Sequence, residues 1–223
     1  MKNRFNYALA VLLFFSINAK AQQVDFYRAE LSHDGIPAKY KDVTGSPYLF
    51  ENWALGSAKT VDNATKKDIE LKYDEIEDIL IMKGAENKLM IFPAQVAEFT
   101  INDSKTNSTR TFKSGFNATK STTDQSFFEV IADGKVKLLR KNHKVISESK
   151  SYSGAVNRSV SDGVKYYLVT ADNTPVAVKL DVKSIGALLP GKETVLAEYV
   201  KANKLNIKNH EDAAKLIAYY NTL

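Results

Sequence analysis

Apolar residues in this chain keep one spacing as far as Leu180 and another beyond it, and that change limits the folds open to it. Ile69, Leu71 and Tyr73 alternate with Glu70 and Lys72, and Ala97, Phe99 and Ile101 alternate with Val96, Glu98 and Thr100. A period of two sends every second side chain to the same face, the pattern of a half-buried strand. Ile79 to Met82 is a short unbroken apolar run, as in a strand buried on both faces, and Leu89 to Phe92 is a further strand stopped by Pro93. Asp133-Gly134 separates Phe127–Ala132 from Val136–Val145. Both turn residues take positive φ cheaply, so these pieces read as a hairpin. Val164–Thr170 and Pro175–Leu180 form another across Asp172-Asn173.

Past Leu180 the spacing becomes helical. Asp181 caps a short helix to Leu189, ahead of Pro190-Gly191, and Lys192–Asn203 carries Val195, Leu196, Tyr199 and Val200 on one face. Asn209 caps a last helix whose Ala213, Leu216, Ile217 and Tyr220 make a buried stripe. Strands followed by helices predict an α+β fold: mainly antiparallel β, as a curved sheet, half-barrel or sandwich, then two or three C-terminal helices. The expected organisation is a signal peptide (1–21), an N-terminal arm (22–46) with a short strand over Val24–Ala29, an antiparallel β domain (47–180) and a helical segment packed on the sheet (181–223). Asn102–Asp124, with one strand around Arg110–Lys113, and Ser147–Asp162 are polar and read as loops.

The first residues point to export. Lys2 and Arg4 precede an apolar run from Tyr7 to Ile17 that is too short to span a bilayer. Ala19-Lys20-Ala21 then supplies the small-x-small pattern of a cleavage site before Gln22. The expected product is periplasmic or extracellular. The chain has no cysteine, so neither a lipid anchor nor a disulfide is expected, and the core alone must hold the domain together. No later segment is long and apolar enough for a transmembrane helix. Removing Lys2, Arg4 and Lys20 lowers the formal charge from +5 to +2, so the basic balance does not argue for nucleic acid.

No catalytic, cofactor-binding or metal-binding residue set stands out. His33, His143 and His210 lack metal-ligand spacing, and there is no nucleophile elbow or phosphate loop. Asp74 to Asp78 is an acidic cluster that reads as a solvated turn, with Ca²⁺ binding as the alternative, although it lacks the spacing of a calcium loop. Lys135, Lys137, Arg140, Lys141 and Lys144 form a basic row that reads either as an anionic-ligand patch or as the guarded solvent face of an edge strand. The aromatic residues, among them Tyr48, Phe50 and Trp53, either fill a core or line a cavity for an apolar small ligand.

The segments Gly45-Ser46-Pro47-Tyr48-Leu49, Leu71-Lys72-Tyr73, Phe128-Glu129-Val130, Gly134-Lys135, Leu138-Leu139, Tyr199 to Leu205 and Tyr219-Tyr220-Asn221 resemble those of an uncharacterised family of secreted proteins from Gram-negative bacteria. The resemblance runs from about Gly45 to the C-terminus and implies an envelope protein with a β core and C-terminal helices, and no activity. The expected role is a non-catalytic binding or structural β domain, with an envelope protein or a small ligand as partner. The alternatives are a carbohydrate-directed hydrolase using paired carboxylates and, further off, an outer-membrane β-barrel.

Overall fold

Among the described residues, alternating side chains give twelve strands in one sheet, with three α-helices behind them. The computed structural model describes residues 29–30, 40–150, 152 and 154–223. The cleavage pattern at Ala19, Ala21 and Gln22, most of the N-terminal arm and His33 lie outside the described residues. The strands are β1 (Ala29–Glu30), β2 (Val43–Thr44), β3 (Ala54–Thr60), β4 (Thr65–Asp74), β5 (Ile79–Lys83), β6 (Leu89–Ile91), β7 (Val96–Asp103), β8 (Ser108–Lys113), β9 (Phe128–Ala132), β10 (Lys137–Lys150), β11 (Val156–Val169) and β12 (Val176–Val178). The helices are α1 (Val182–Ala187), α2 (Glu193–Ala202) and α3 (His210–Tyr220). The sheet order is β1-β6-β5-β4-β3-β7-β8-β9-β10-β11-β12. Every pairing is antiparallel except that of β2, which lies parallel to β11 at Arg158–Ser159. The sheet is open, and no helix among the described residues is long and apolar enough to cross a membrane.

Four strands separate β4 from β10 in this order, yet the backbone N–H of Lys144 donates to the Glu75 carbonyl at 3.4 Å. The sheet must therefore curl, and register shifts within β3 and β10 supply bulges that bend it. Leu71, Tyr73, Leu80, Met82, Phe99, Phe112 and Phe127 fill the hollow. Phe99 and Phe112 stack at 4.6 Å, and Phe127 meets Phe99 edge-on at 5.0 Å. The aromatic residues here are packed core, as their inward alternation requires.

Leu138 and Leu168 extend the concave face toward the helices, where Ile185, Leu189, Leu196, Ala213, Leu216 and Ile217 close over it. Asp181 caps α1 by accepting from the Ser184 N–H at 2.7 Å, and Asn209 caps α3 by accepting from Glu211 N–H at 2.8 Å. The end of α3 is pinned to the sheet. Asn221 Oδ1 accepts from Val136 N–H and its Nδ2 donates to the Val136 carbonyl, both at 2.9 Å. Gly134 makes room for this amide, because a Cβ there would lie 2.3 Å from Asn221 Nδ2.

The segment after β8 crosses the convex face and buries Phe116 against Phe128, Leu139, Tyr167 and Val169. Asn117 and Asn173 hydrogen-bond across to fasten it to the β11–β12 turn.

One expectation is corrected. Ser147–Asp162 is not a loop: β10 and β11 run on as paired strands to Lys150 and from Val156. The polar sequence arises because the arm projects beyond the core, so neither face selects apolar residues. The extra strand at β8 falls where expected, over Arg110–Lys113.

Candidate functional site

The acidic turn and the basic row are partners. Lys141 Nζ lies 2.7 Å from Asp78 Oδ2 and donates to the Phe127 carbonyl at 3.0 Å. Lys144 Nζ donates to the carbonyls of Tyr48 at 2.6 Å and Ser46 at 3.1 Å, and lies 3.3 Å from Glu75 Oε2. Asn142 Nδ2 donates to Glu75 Oε1 at 2.9 Å. Asp74 is fully buried and accepts from the Tyr40 hydroxyl at 2.6 Å and from the N–H groups of Ile76 and Glu77. The turn is thus structural rather than solvated, and no group among the described residues is arranged to hold a metal ion. Lys137 binds Asp133 at 2.6 Å, and Lys135 projects into solvent at the same turn. Lys137, and then Lys113, hold the Asp133 carboxyl down to about 2.

A second cluster sits under the helices. Phe112, Glu129 and Arg140 are cross-strand neighbours and share the concave face. Arg110 grips Glu129 through two bonds of 2.8 and 2.6 Å, and Arg140 Nε donates to the same carboxylate at 2.7 Å. Arg140 also reaches His210 Nε2 at 3.3 Å, and the imidazole stacks on Tyr166. Sequence spacing had no means of joining residues 110, 129, 140 and 210, which meet only through sheet pairing and helix docking.

Burial, then the Arg140 guanidinium, holds the His210 imidazole below its usual value of 6.5. The unfolded chain therefore binds a proton that the fold refuses. This contribution to stability is full above about pH 6.5 and is lost as pH falls below it. The urea midpoint is expected to fall between pH 7.5 and 5.5, and to fall less in His210→Gln. An equal fall in both proteins would remove His210 as the cause.

With these charges engaged, three regions of the described surface stay open: a hollow of about 610 Å³ along Val164–Tyr166 and Ala177–Leu180, one of about 400 Å³ beside Asp78–Leu80 and Phe92–Val96, and the mouth of the curl, where aromatic and amide side chains gather. The segment from Gly45 to Ala54 crosses the mouth of the curl, with Leu49 and Phe50 packed down on the aromatic core. Between it, the β7–β8 turn and the β10–β11 arm lies a cavity of about 440 Å³, lined by Tyr48, Trp53, Asn52, Asn102, Asp103 and Asp162 among others. A second, of about 360 Å³, shares Trp53, Ala54, Asn102, Asp103 and Ser104 and continues to Asn107 and Thr109. A third, of about 260 Å³, shares Leu49, Lys144 and Asp162 and reaches Glu75, Arg110 and His143. Shared wall residues place the three side by side, and together they are called the groove. His143 folds over Gly163, where a Cβ would lie 2.2 Å from the ring. Lys72 lies 4.5 Å from the Tyr48 ring centre and 5.3 Å from that of Trp53. Burial, and then Asp74, pushes the Tyr48 phenol up to about 12, so it enters the groove as a neutral hydroxyl. No known family, curated protein or solved structure matches the chain.

Proposed function

We propose that this chain is an exported, non-catalytic binding domain of the cell envelope whose ligand lies in the groove across the mouth of the sheet. One observation carries the reading: the buried charged side chains already have partners within the fold, while an aromatic and amide-lined groove stays open beside them. Its principal cavity, about 440 Å³, is within the size range of small-molecule sites. Export is supported by Lys2 and Arg4, the apolar run and Ala19-Lys20-Ala21 ahead of Gln22. Expression with the native leader should give an envelope species beginning at Gln22. A cytosolic species retaining Met1 would overturn export.

The binding reading is tested by titrating the mature protein with soluble oligosaccharides, lipid headgroups and short peptides while following Trp53 emission and heat. Saturable binding with the ligand recovered intact is the expected result, and silence across all three classes would overturn it. One observation favours a second reading, a hydrolase: Glu75 and Asp162 line the same 260 Å³ cavity. Against it, Glu75 already accepts from Asn142 and lies beside Lys144. Ligand cleavage abolished in both Glu75→Gln and Asp162→Asn would establish the hydrolase.

A further inference from the structure

On the reading that the groove is the binding site, we infer that its ligand is an uncharged glycan chain that stacks on Trp53. Trp53 lines both of the groove's larger cavities, so it stands where two successive units of a repeating ligand would meet. The faces of a pyranose ring present C–H groups of slight positive charge, which suit the negative face of an indole. Lys72 and Lys83 approach the same indole but line neither cavity, so they hold the ring without entering the groove.

A sugar hydroxyl both donates and accepts, and it is best met by groups that do the same. The groove offers the amides of Asn52, Asn102 and Asn107 and the hydroxyl of Ser104. A lipid tail would leave these amides unpaired. Charge decides between kinds of glycan. Glu51, Asp103 and Asp162 face Lys105 and Lys144, and Lys144 is already held by two carbonyls and Glu75. Lys72, beside Tyr48 and Trp53, answers Glu51, so the groove carries no net positive charge to attract phosphorylated or uronic chains.

Trp53 is the only tryptophan in the sequence, so its emission reports on the groove alone. The mature protein is titrated with cellohexaose and chitohexaose, and with hexagalacturonate as the anionic counterpart. A neutral hexasaccharide should shift the emission saturably while hexagalacturonate does not. By calorimetry, Trp53→Ala should weaken binding at least tenfold, Trp53→Phe should keep it within about threefold, and Asn102→Ala should weaken it severalfold with an unchanged melting temperature. Preference for hexagalacturonate would overturn the charge argument, and equal binding by Trp53→Ala would overturn the stacking. Should headgroups or peptides shift the emission while every glycan is silent, the glycan assignment fails and the groove stands. Silence from all three classes removes both.

Discussion

Leu216→Asp is expected to abolish the cooperative melt of the mature domain or to lower its midpoint by more than any exposed substitution on the same helix. Leu216 is fully buried and belongs to the cluster that joins α3 to Leu138, Leu168 and the other helices. Truncating a buried leucine costs about 2–5 kcal/mol through lost transfer energy and the cavity left behind. A carboxylate placed there also has no partner, and an uncompensated buried charge costs several kcal/mol more or forces the group to neutralise. Together these rival the ~5–15 kcal/mol that holds a typical domain. Ala218 is exposed on the same helix, and Ala218→Asp should stay within about 1 kcal/mol of the parent. A Leu216→Asp protein that melts like Ala218→Asp would mean that the helix contributes nothing to the fold.

Glu129→Ala is expected to destabilise by about 3–5 kcal/mol, since removing one member of a buried ion pair leaves the other uncompensated. The side chains of Arg110, Glu129 and Arg140 are only 15%, 8% and 17% exposed, so water cannot replace the lost carboxylate cheaply. Two guanidiniums would then face each other with a neutral imidazole beside them. The loss is read from urea unfolding. Further replacement of both arginines by apolar residues should recover part of it, because a wholly apolar cluster has no charge to desolvate. A Glu129→Ala loss below about 1 kcal/mol would show that the cluster is solvated in solution.

Much of this fold was legible in local sequence. Asp133-Gly134 marked a hairpin, although the connection is wider than a two-residue turn, since Ala132 pairs with Leu138 and only Gly134 of the two takes positive φ; Ile69, Leu71 and Tyr73 marked the core face of β4 because a period of two reflects one buried side. Leu196, Leu216 and Ile217 were equally plain from helical spacing. Phe112, Phe116, Leu139 and Tyr167 are buried in places where polar neighbours or a double-sided run masked the signal. The site was far less visible. Asp78 and Lys141 were each conspicuous, but nothing in the spacing said that a curled sheet would join them. The groove is assembled from residues near 50, 104, 144 and 162, and only tertiary pairing brings such distant segments together.

The β10–β11 arm carries one more consequence. Its fourteen-residue strands are buried at the root by Leu138, Leu139, Leu168 and Val169, while beyond Val145 they are held by each other and, at Arg158–Ser159 alone, by β2. Amide hydrogens should therefore exchange in a graded way, slowest near Leu138 and fastest toward Tyr152, as the ladder unzips from its free end without disturbing the domain. Equal protection along the whole hairpin, measured by mass spectrometry, would reveal a second anchorage near its tip.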